Sequence, residues 1–167
     1  MSKQQALQTF SEQSIVNGSK SFSFAGFLLT ENVRADAFSL YAWCRYCDDV
    51  IDDAPNKKNA LQQLQHLQTL TEKALTSDTG ELPLPFQALA SVVQKYNIPR
   101  DYPLELLKGM EMDVNGYEYI TTEDLDLYCY RVAGVVGLMM AHIMGISHPQ
   151  ALTSACSLGK AMQLTNI

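Results

Sequence analysis

Apolar residues along this chain recur every three or four positions, which predicts helices nearly throughout. The clearest case is 59–75, where Leu61, Leu64, Leu67 and Leu70 form a stripe against a Gln-rich outer face. A first helix is expected over 3–16. Gly18-Ser19-Lys20-Ser21 breaks it, and 22–29 is a short apolar continuation. Thr30 can cap a long helix over 31–53, which Ala54-Pro55-Asn56 stops. The stretch 77–85, rich in Thr, Gly and Pro, reads as a loop. A helix follows over 86–96, and Pro99 opens the next. Residues 111–119 are short and ambiguous. A long apolar helix is expected over 123–145 and a last one over 148–167. No stretch reads as a strand, an internal repeat or a low-complexity tract. An all-α single domain over 1–167 is therefore expected, its helices packed around a shared interior. From Gly159 to Ile167 the last helix is in full stride, with no Gly cap, basic last turn or polar tail. That end is expected to be a truncation of a longer chain.

One segment does not suit an ordinary amphipathic helix. Between Tyr41 and Asp53 the chain reads Tyr-Ala-Trp-Cys-Arg-Tyr-Cys-Asp-Asp-Val-Ile-Asp-Asp. Tyr41, Arg45, Asp48, Asp49 and Asp52 fall at i, i+4, i+7, i+8 and i+11, along one helix face. Asp48 and Asp52 lie one turn apart, where like charges repel, and at a C-terminal end, where the macrodipole disfavours acids. Such a cost calls for a counterion. Magnesium fits, because it binds through one or two carboxylates plus a substrate phosphate and keeps several waters. The alternative is a solvated acidic helix end. Arg45, one turn before Asp49, suits a site that handles an anion together with a metal.

Composition narrows the field. Apolar residues make up 47% of the 167 and charged residues 18%, a globular balance. The net charge is −6, to which Asp48, Asp49, Asp52 and Asp53 contribute four negative charges, and no basic stripe offsets it. Nucleic-acid binding is not expected. A phosphorylated substrate would need metal ions or a local cluster such as Lys20 and Arg45 to approach. Cys44 and Cys47 have C-x-x-C spacing, but no second Cys or His pair follows at zinc-site spacing. They read as small buried apolar residues. Nothing suggests disulfides, and the N-terminus has no apolar signal region, so a cytoplasmic setting is expected. The uncharged run 132–147 is shorter than a membrane span needs and contains His142, so it reads as a buried helix. Loose attachment to a membrane surface is left open.

Three further stretches carry candidate chemistry. Gly18-Ser19-Lys20-Ser21-Phe22 lies where a short helix begins, and its N–H groups, two hydroxyls and one Lys can together hold a phosphate. In Tyr128-Cys129-Tyr130-Arg131-Val132-Ala133-Gly134-Val135-Val136-Gly137, the residues Ala133, Gly134 and Gly137, with Ala141, leave one face almost without side chains. Each mid-helix Gly costs about 1 kcal/mol against Ala. Either a neighbouring helix packs close there, or a long apolar ligand lies along the bare face with Tyr128 at its mouth. Gln163 and Asn166, at i and i+3, are neutral oxygen donors able to bind a metal or its waters, or are surface amides.

Taken together, these residues resemble the squalene and phytoene synthase family, with wording closest to the bacterial phytoene synthases. Tyr41 to Asp53 resembles the family's first Asp-rich motif, Tyr128 to Gly137 its central signature, and Gln163 to Ile167 the opening of its second Asp-rich helix. The resemblance runs the whole length of the chain but covers only the first half or somewhat more of a family member. It implies an all-α isoprenoid synthase helical bundle, truncated before the second Asp-rich motif, whose basic residue and paired aspartates are missing here. It further implies a magnesium-dependent prenyltransferase, with manganese as a substitute metal, that joins two prenyl diphosphates head to head. Asp48 and Asp52 would hold the metal, Asp49 would support them, and Asn166 would be a further ligand. Gly18, Ser19, Lys20, Ser21, Tyr41 and Arg45 would contact the diphosphates, with Gln163 near them. Phe22, Tyr128, Val132, Ala133 and Gly137 would line the chain cavity. The expected reaction is condensation of two geranylgeranyl diphosphates to phytoene, through a cyclopropyl diphosphate, in carotenoid biosynthesis. The alternatives are squalene or dehydrosqualene formation from farnesyl diphosphate, a terpene cyclase or chain-elongating prenyltransferase, and a non-catalytic helical metal-binding fragment. The fragment alone is expected to be a poor catalyst.

Overall fold

The computed structural model describes residues 3–76 and 82–167, with the backbone alone for residues 3, 4 and 21. Residues 77–81 of the expected loop lie outside the described residues. The elements in order are α1 (Lys3–Gly18), α2 (Lys20–Gly26), α3 (Glu31–Asp52), α4 (Lys57–Ala74), α5 (Leu84–Tyr96), α6 (Asp101–Asn115), α7 (Thr122–Cys129), a π-helical turn (Tyr130–Gly134), α8 (Val135–Ile143) and α9 (Pro149–Asn166). No strand occurs among the described residues, as the three-to-four-residue periodicity predicts.

Local chemistry explains the boundaries. Ser19 is extended, and its hydroxyl accepts from the Phe22 N–H at 3.2 Å, so α2 starts there and α1 ends one residue earlier. Asn56 caps α4 by accepting from the Asn59 N–H at 3.0 Å. Thr30 occupies the cap position of α3 without a side-chain bond. Asn97 and Gly116 take left-handed conformations where α5 and α6 end. The ambiguous stretch 111–119 resolves there: it is the last turn of α6, the Gly116 reversal and the beginning of an irregular connector. Thr121 and Asp124 form a reciprocal capping box at the start of α7.

The core is built from one stripe each of α3, α4, α5, α6 and α8. Leu40 and Trp43 of α3, Leu64 and Leu67 of α4, Phe86, Leu89 and Val92 of α5, Leu107 of α6, and Val135, Met139 and Ile143 of α8 are all buried in one cluster. Helix α3 packs on α1 and α5, α4 packs on α6, and α9 packs on α8 and the π turn. Only two members of the Leu61–Leu70 stripe, Leu64 and Leu67, are fully buried; Leu61 and Leu70 flank them half-buried. Ion pairs fasten the outer elements: Arg131 donates to Glu105 from the π turn to α6 at 2.9 Å, and Lys160 reaches Asp126 at 2.6 Å from α9 to α7. No helix among the described residues is long and apolar enough to cross a membrane.

The bare face of the central signature is covered by protein. A Cβ on Gly137 would lie 2.5 Å from the carbonyl oxygen of Ala155, and one on Gly134 would meet the Cys156 sulfur at 3.1 Å. From the other side, Gly159 sits against the carbonyl of Ala133. Of the two readings open in the sequence, the neighbouring helix is the one observed, and it is α9.

The expected single helix over 123–145 is interrupted. The Val135 N–H reaches the Tyr130 carbonyl, one residue further back than in an α-helix. A regular helix rotates by about 40° beyond a full turn over four residues. The wider π turn reverses part of that drift. Tyr128, Val132 and Val136 consequently stay on one side, although they span nine residues.

Candidate active site

The flank of α3 that carries Cys44 and Asp48, beside its core stripe, faces a cavity of about 210 Å³. Its lining combines Cys44 and Asp48 of α3 with Leu106, Met110 and Asp113 of α6, then Tyr128, Val132, Val136 and Gln163. Four residues singled out from the sequence, Asp48, Tyr128, Val132 and Gln163, are thus brought to one recess from four different elements. Ala133 and Gly137 are not in the lining, because α9 takes up their small faces. Asn166 is exposed and is also outside the lining. Cys47 is fully buried as expected, whereas Cys44 is half-buried and forms part of the wall.

Charge along α3 is uneven. Asp48 lines the cavity, where the surrounding protein and then the neighbouring Asp52 push its carboxyl up to about 6; Arg45 partly counters them, and Asp49 and then Asp113 add to the rise. Burial, and more weakly Asp52, also raises Asp113, against hydrogen bonds from Tyr128 and Tyr119 that lower it. Asp49 differs. Arg45 pairs with it at 2.6 Å, both side chains about half exposed at 46%. Arg45, expected at a diphosphate, is therefore engaged along its own helix, and Asp49 is the neutralised member of the acid group.

The loop before α2 joins the same face further up. Gly18 lies against the Tyr41 hydroxyl, in space a Cβ would fill. The Phe22 and Tyr41 rings meet edge to face at 6.1 Å. Burial raises the Tyr41 phenol most, and Asp48 and Asp49 raise it further against Arg45. Lys20 is exposed beside them, and the Ser21 side chain is outside the description. Gly18 to Phe22, Tyr41, Arg45 and Asp48 therefore follow one another down a single side of the molecule.

Asp113 is the residue that sequence reasoning missed. Its carboxylate accepts from the Tyr128 hydroxyl at 3.1 Å. In the sequence Asp113 is one of four acids along 101–113, 15 residues before Tyr128, and nothing in the spacing links the two.

The donor set can be tested against a hard cation. Among the described residues no three His, Cys, Asp or Glu side chains converge into a ready-made metal cage. What the structure offers is Asp48 facing the recess, Asp52 interacting with it, and no cation partner on either beyond the partial influence of Arg45 on Asp48. Two unneutralised carboxylates beside an open recess fit a magnesium-type ion that draws its remaining ligands from water and a phosphate.

A helical bundle that sets an acidic helix against a wall of tyrosine, valine and glutamine across one recess is of the isoprenoid synthase type. The family model "Squalene/phytoene synthase" matches residues 15–167. The chain is 44% identical over 163 residues to the phytoene synthase of Pseudescherichia vulneris, covering 93% of this chain and 52% of that one. It is 42% identical over 163 residues to the 15-cis-phytoene synthase of Paracoccus sp. (strain N81106 / MBIC 01143), covering 94% and 53% respectively. A solved dehydrosqualene synthase in complex with ligand superimposes with a TM-score of 0.83 at 30% identity, covering 97% of this chain and 56% of that chain. The chain belongs to the squalene/phytoene synthase family. It spans about half the length of the curated relatives it matches.

Proposed function

We propose that this chain carries the first acidic wall and the central signature of a phytoene synthase-like prenyltransferase, one that condenses two geranylgeranyl diphosphates head to head. The observation that supports it most is the convergence of Asp48, Tyr128, Val132 and Gln163 on one recess. Asp48 and Asp52 would hold magnesium or manganese, with Asp49 beside them. When bound, the metal supplies Lewis-acid charge for the departing diphosphate.

The remaining demands fall on the protein's own groups. The Ser19 hydroxyl, Lys20 and the α2 N-terminal turn bind phosphate oxygens. Leu106, Met110, Val132 and Val136 exclude water from the allylic cation formed as the C–O bond breaks. Aromatic faces at Tyr41 and Tyr128 stabilise that cation, by about 2 kcal/mol when desolvated. The second substrate's double bond attacks the cation and a proton is lost, giving a cyclopropyl diphosphate. The second diphosphate then leaves, and rearrangement with loss of a further proton yields phytoene.

The solved dehydrosqualene synthase, at 30% identity, favours a second reading in which farnesyl diphosphate is the substrate. Incubation with each prenyl diphosphate and magnesium, followed by assay of released diphosphate and of hydrocarbon length, separates the readings. A forty-carbon product from geranylgeranyl diphosphate supports the first, and a thirty-carbon product from farnesyl diphosphate supports the second. Magnesium binding that is indifferent to either substrate would leave a helical metal-binding domain and overturn both. Slow turnover is expected from the chain alone, because the relatives are about twice as long.

A further inference from the structure

The wall opposite Asp48 contains an assembly of which the reaction outlined above uses only the Tyr128 ring. The Tyr128 hydroxyl donates to Asp113 at 3.1 Å, and Tyr119 lies near enough to the same carboxyl to help lower its pKa. The Tyr119 ring packs on the Tyr128 ring with centroids 4.8 Å apart, and Tyr117 packs behind Tyr119 at 5.8 Å. Tyr117 and Tyr119 come from the connector between α6 and α7. Gly116, at φ 67°, turns that connector back toward α7. Tyr117 then fastens it by donating to Asp124 at 2.9 Å, the same Asp124 that closes the α7 capping box.

The Tyr128 phenol is thus restrained by a carboxylate acceptor, by a packed ring and by an anchored helix start. A phenol has one proton to donate and lone pairs to offer. Here the proton is committed to Asp113, so toward a ligand the hydroxyl has only lone pairs left. An oriented, electron-rich group is what a developing cation favours.

We propose that Asp113 is a positioning residue that fixes the Tyr128 phenol in the cavity wall with its proton turned away from the ligand, Tyr119 backing it. This rests on the prenyl diphosphate reading of the same recess. The hydrogen bond itself can be tested without that reading.

The test uses the chain labelled with 13C at the ζ carbon of tyrosine, with Y128F to assign the Tyr128 resonance. D113A is expected to move the Tyr128 signal, and D113N, which retains an acceptor oxygen, is expected to restore most of it. In parallel, calorimetry measures the affinity for an ammonium analogue of geranylgeranyl diphosphate, which carries a positive charge where the allylic cation forms, with magnesium. D113A is expected to weaken binding about tenfold, as the phenol loses its orientation toward the positive charge. D113N should bind close to the unmutated chain, and D113A should cost nothing further in a Y128F background. A Tyr128 signal that ignores D113A, or that D113N fails to restore, overturns the proposal. So does a D113A loss that is equally large with Phe at 128, since Asp113 would then act directly on the ligand or its metal. If the unmutated chain does not bind the analogue, the prenyl diphosphate reading fails, and the resonance alone decides the role of Asp113.

Discussion

The two walls of the cavity are built on different principles. The α3 wall is one helix with acids at fixed spacing, and its key groups, Asp48 and Asp52, lie one turn apart and repel each other. The opposite wall is assembled from α6, α7, the π turn, α8 and α9, with the connector behind it, and its key groups Asp113 and Tyr128 satisfy one another through a hydrogen bond backed by ring contacts. One wall is left electrostatically unfinished and needs a ligand, while the other is complete in itself. A site that must admit a charged head group and still hold a reactive chain steady benefits from this division.

The comparison can be broken most severely where the assembled wall meets α9. In G137L the new side chain would run into the Ala155 carbonyl, which is backbone and cannot move aside. The expected cost is about 3 kcal/mol, at the upper end for overpacking. Calorimetric melting should show a fall of roughly 10 °C for a chain of this size. A melting point within two degrees of the unmutated chain, on the same scale, would mean that α9 is not packed as described.

The acidic wall should behave in the opposite way, losing ligand while keeping its fold. D48A with D52A is expected to reduce magnesium-dependent binding of a prenyl thiodiphosphate about a hundredfold, roughly 2.7 kcal/mol, without lowering the melting point. Unchanged affinity would remove the reason for assigning the metal to α3.

A milder probe loosens the second wall at its anchor. T121A removes the side chain that caps α7 and should cost about 1 kcal/mol. Tyrosine resonances of the connector should respond more than those of the core. A uniform response across the chain would show that the connector is not a local unit.

The smallest effect expected is a pH slope. The fold raises Asp48 to about 6, so between about 4 and 6 the folded chain binds more protons than the unfolded one. Stability without metal should therefore fall as pH rises through that window, and D48N should flatten the slope. Metal binding should show the converse, weakening as pH falls through about 6, because the cation competes with the Asp48 proton. A stability that climbs steadily from pH 4 to 6 in the unmutated chain and not in D48N would reverse the sign assigned to Asp48.

The same contrast explains what could be read in advance. The α3 wall was legible because a single helix turns sequence spacing directly into geometry; its expected end, residue 53, is one residue past the observed Asp52. The helices α4, α5 and α9 followed from periodicity and breakers for the same reason. The Asp113–Tyr128 bond could not be read, since it depends on the Gly116 reversal inside the stretch that was ambiguous. The π turn leaves the apolar pattern of 123–145 unchanged, so only the backbone reveals it. The bare stripe at Ala133, Gly134 and Gly137 announced that something must lie close, and periodicity alone could not say whether protein or ligand.

The glycine contacts between α8 and α9 have a mechanical consequence. Backbone abuts backbone at Gly137 and again near Gly159, so neither rod can slide or roll past the other without collision. Val136 and Gln163, carried on different rods, are therefore geared together: a pull on the amide travels to the valine as a rigid-body displacement, not as a rearrangement of side chains.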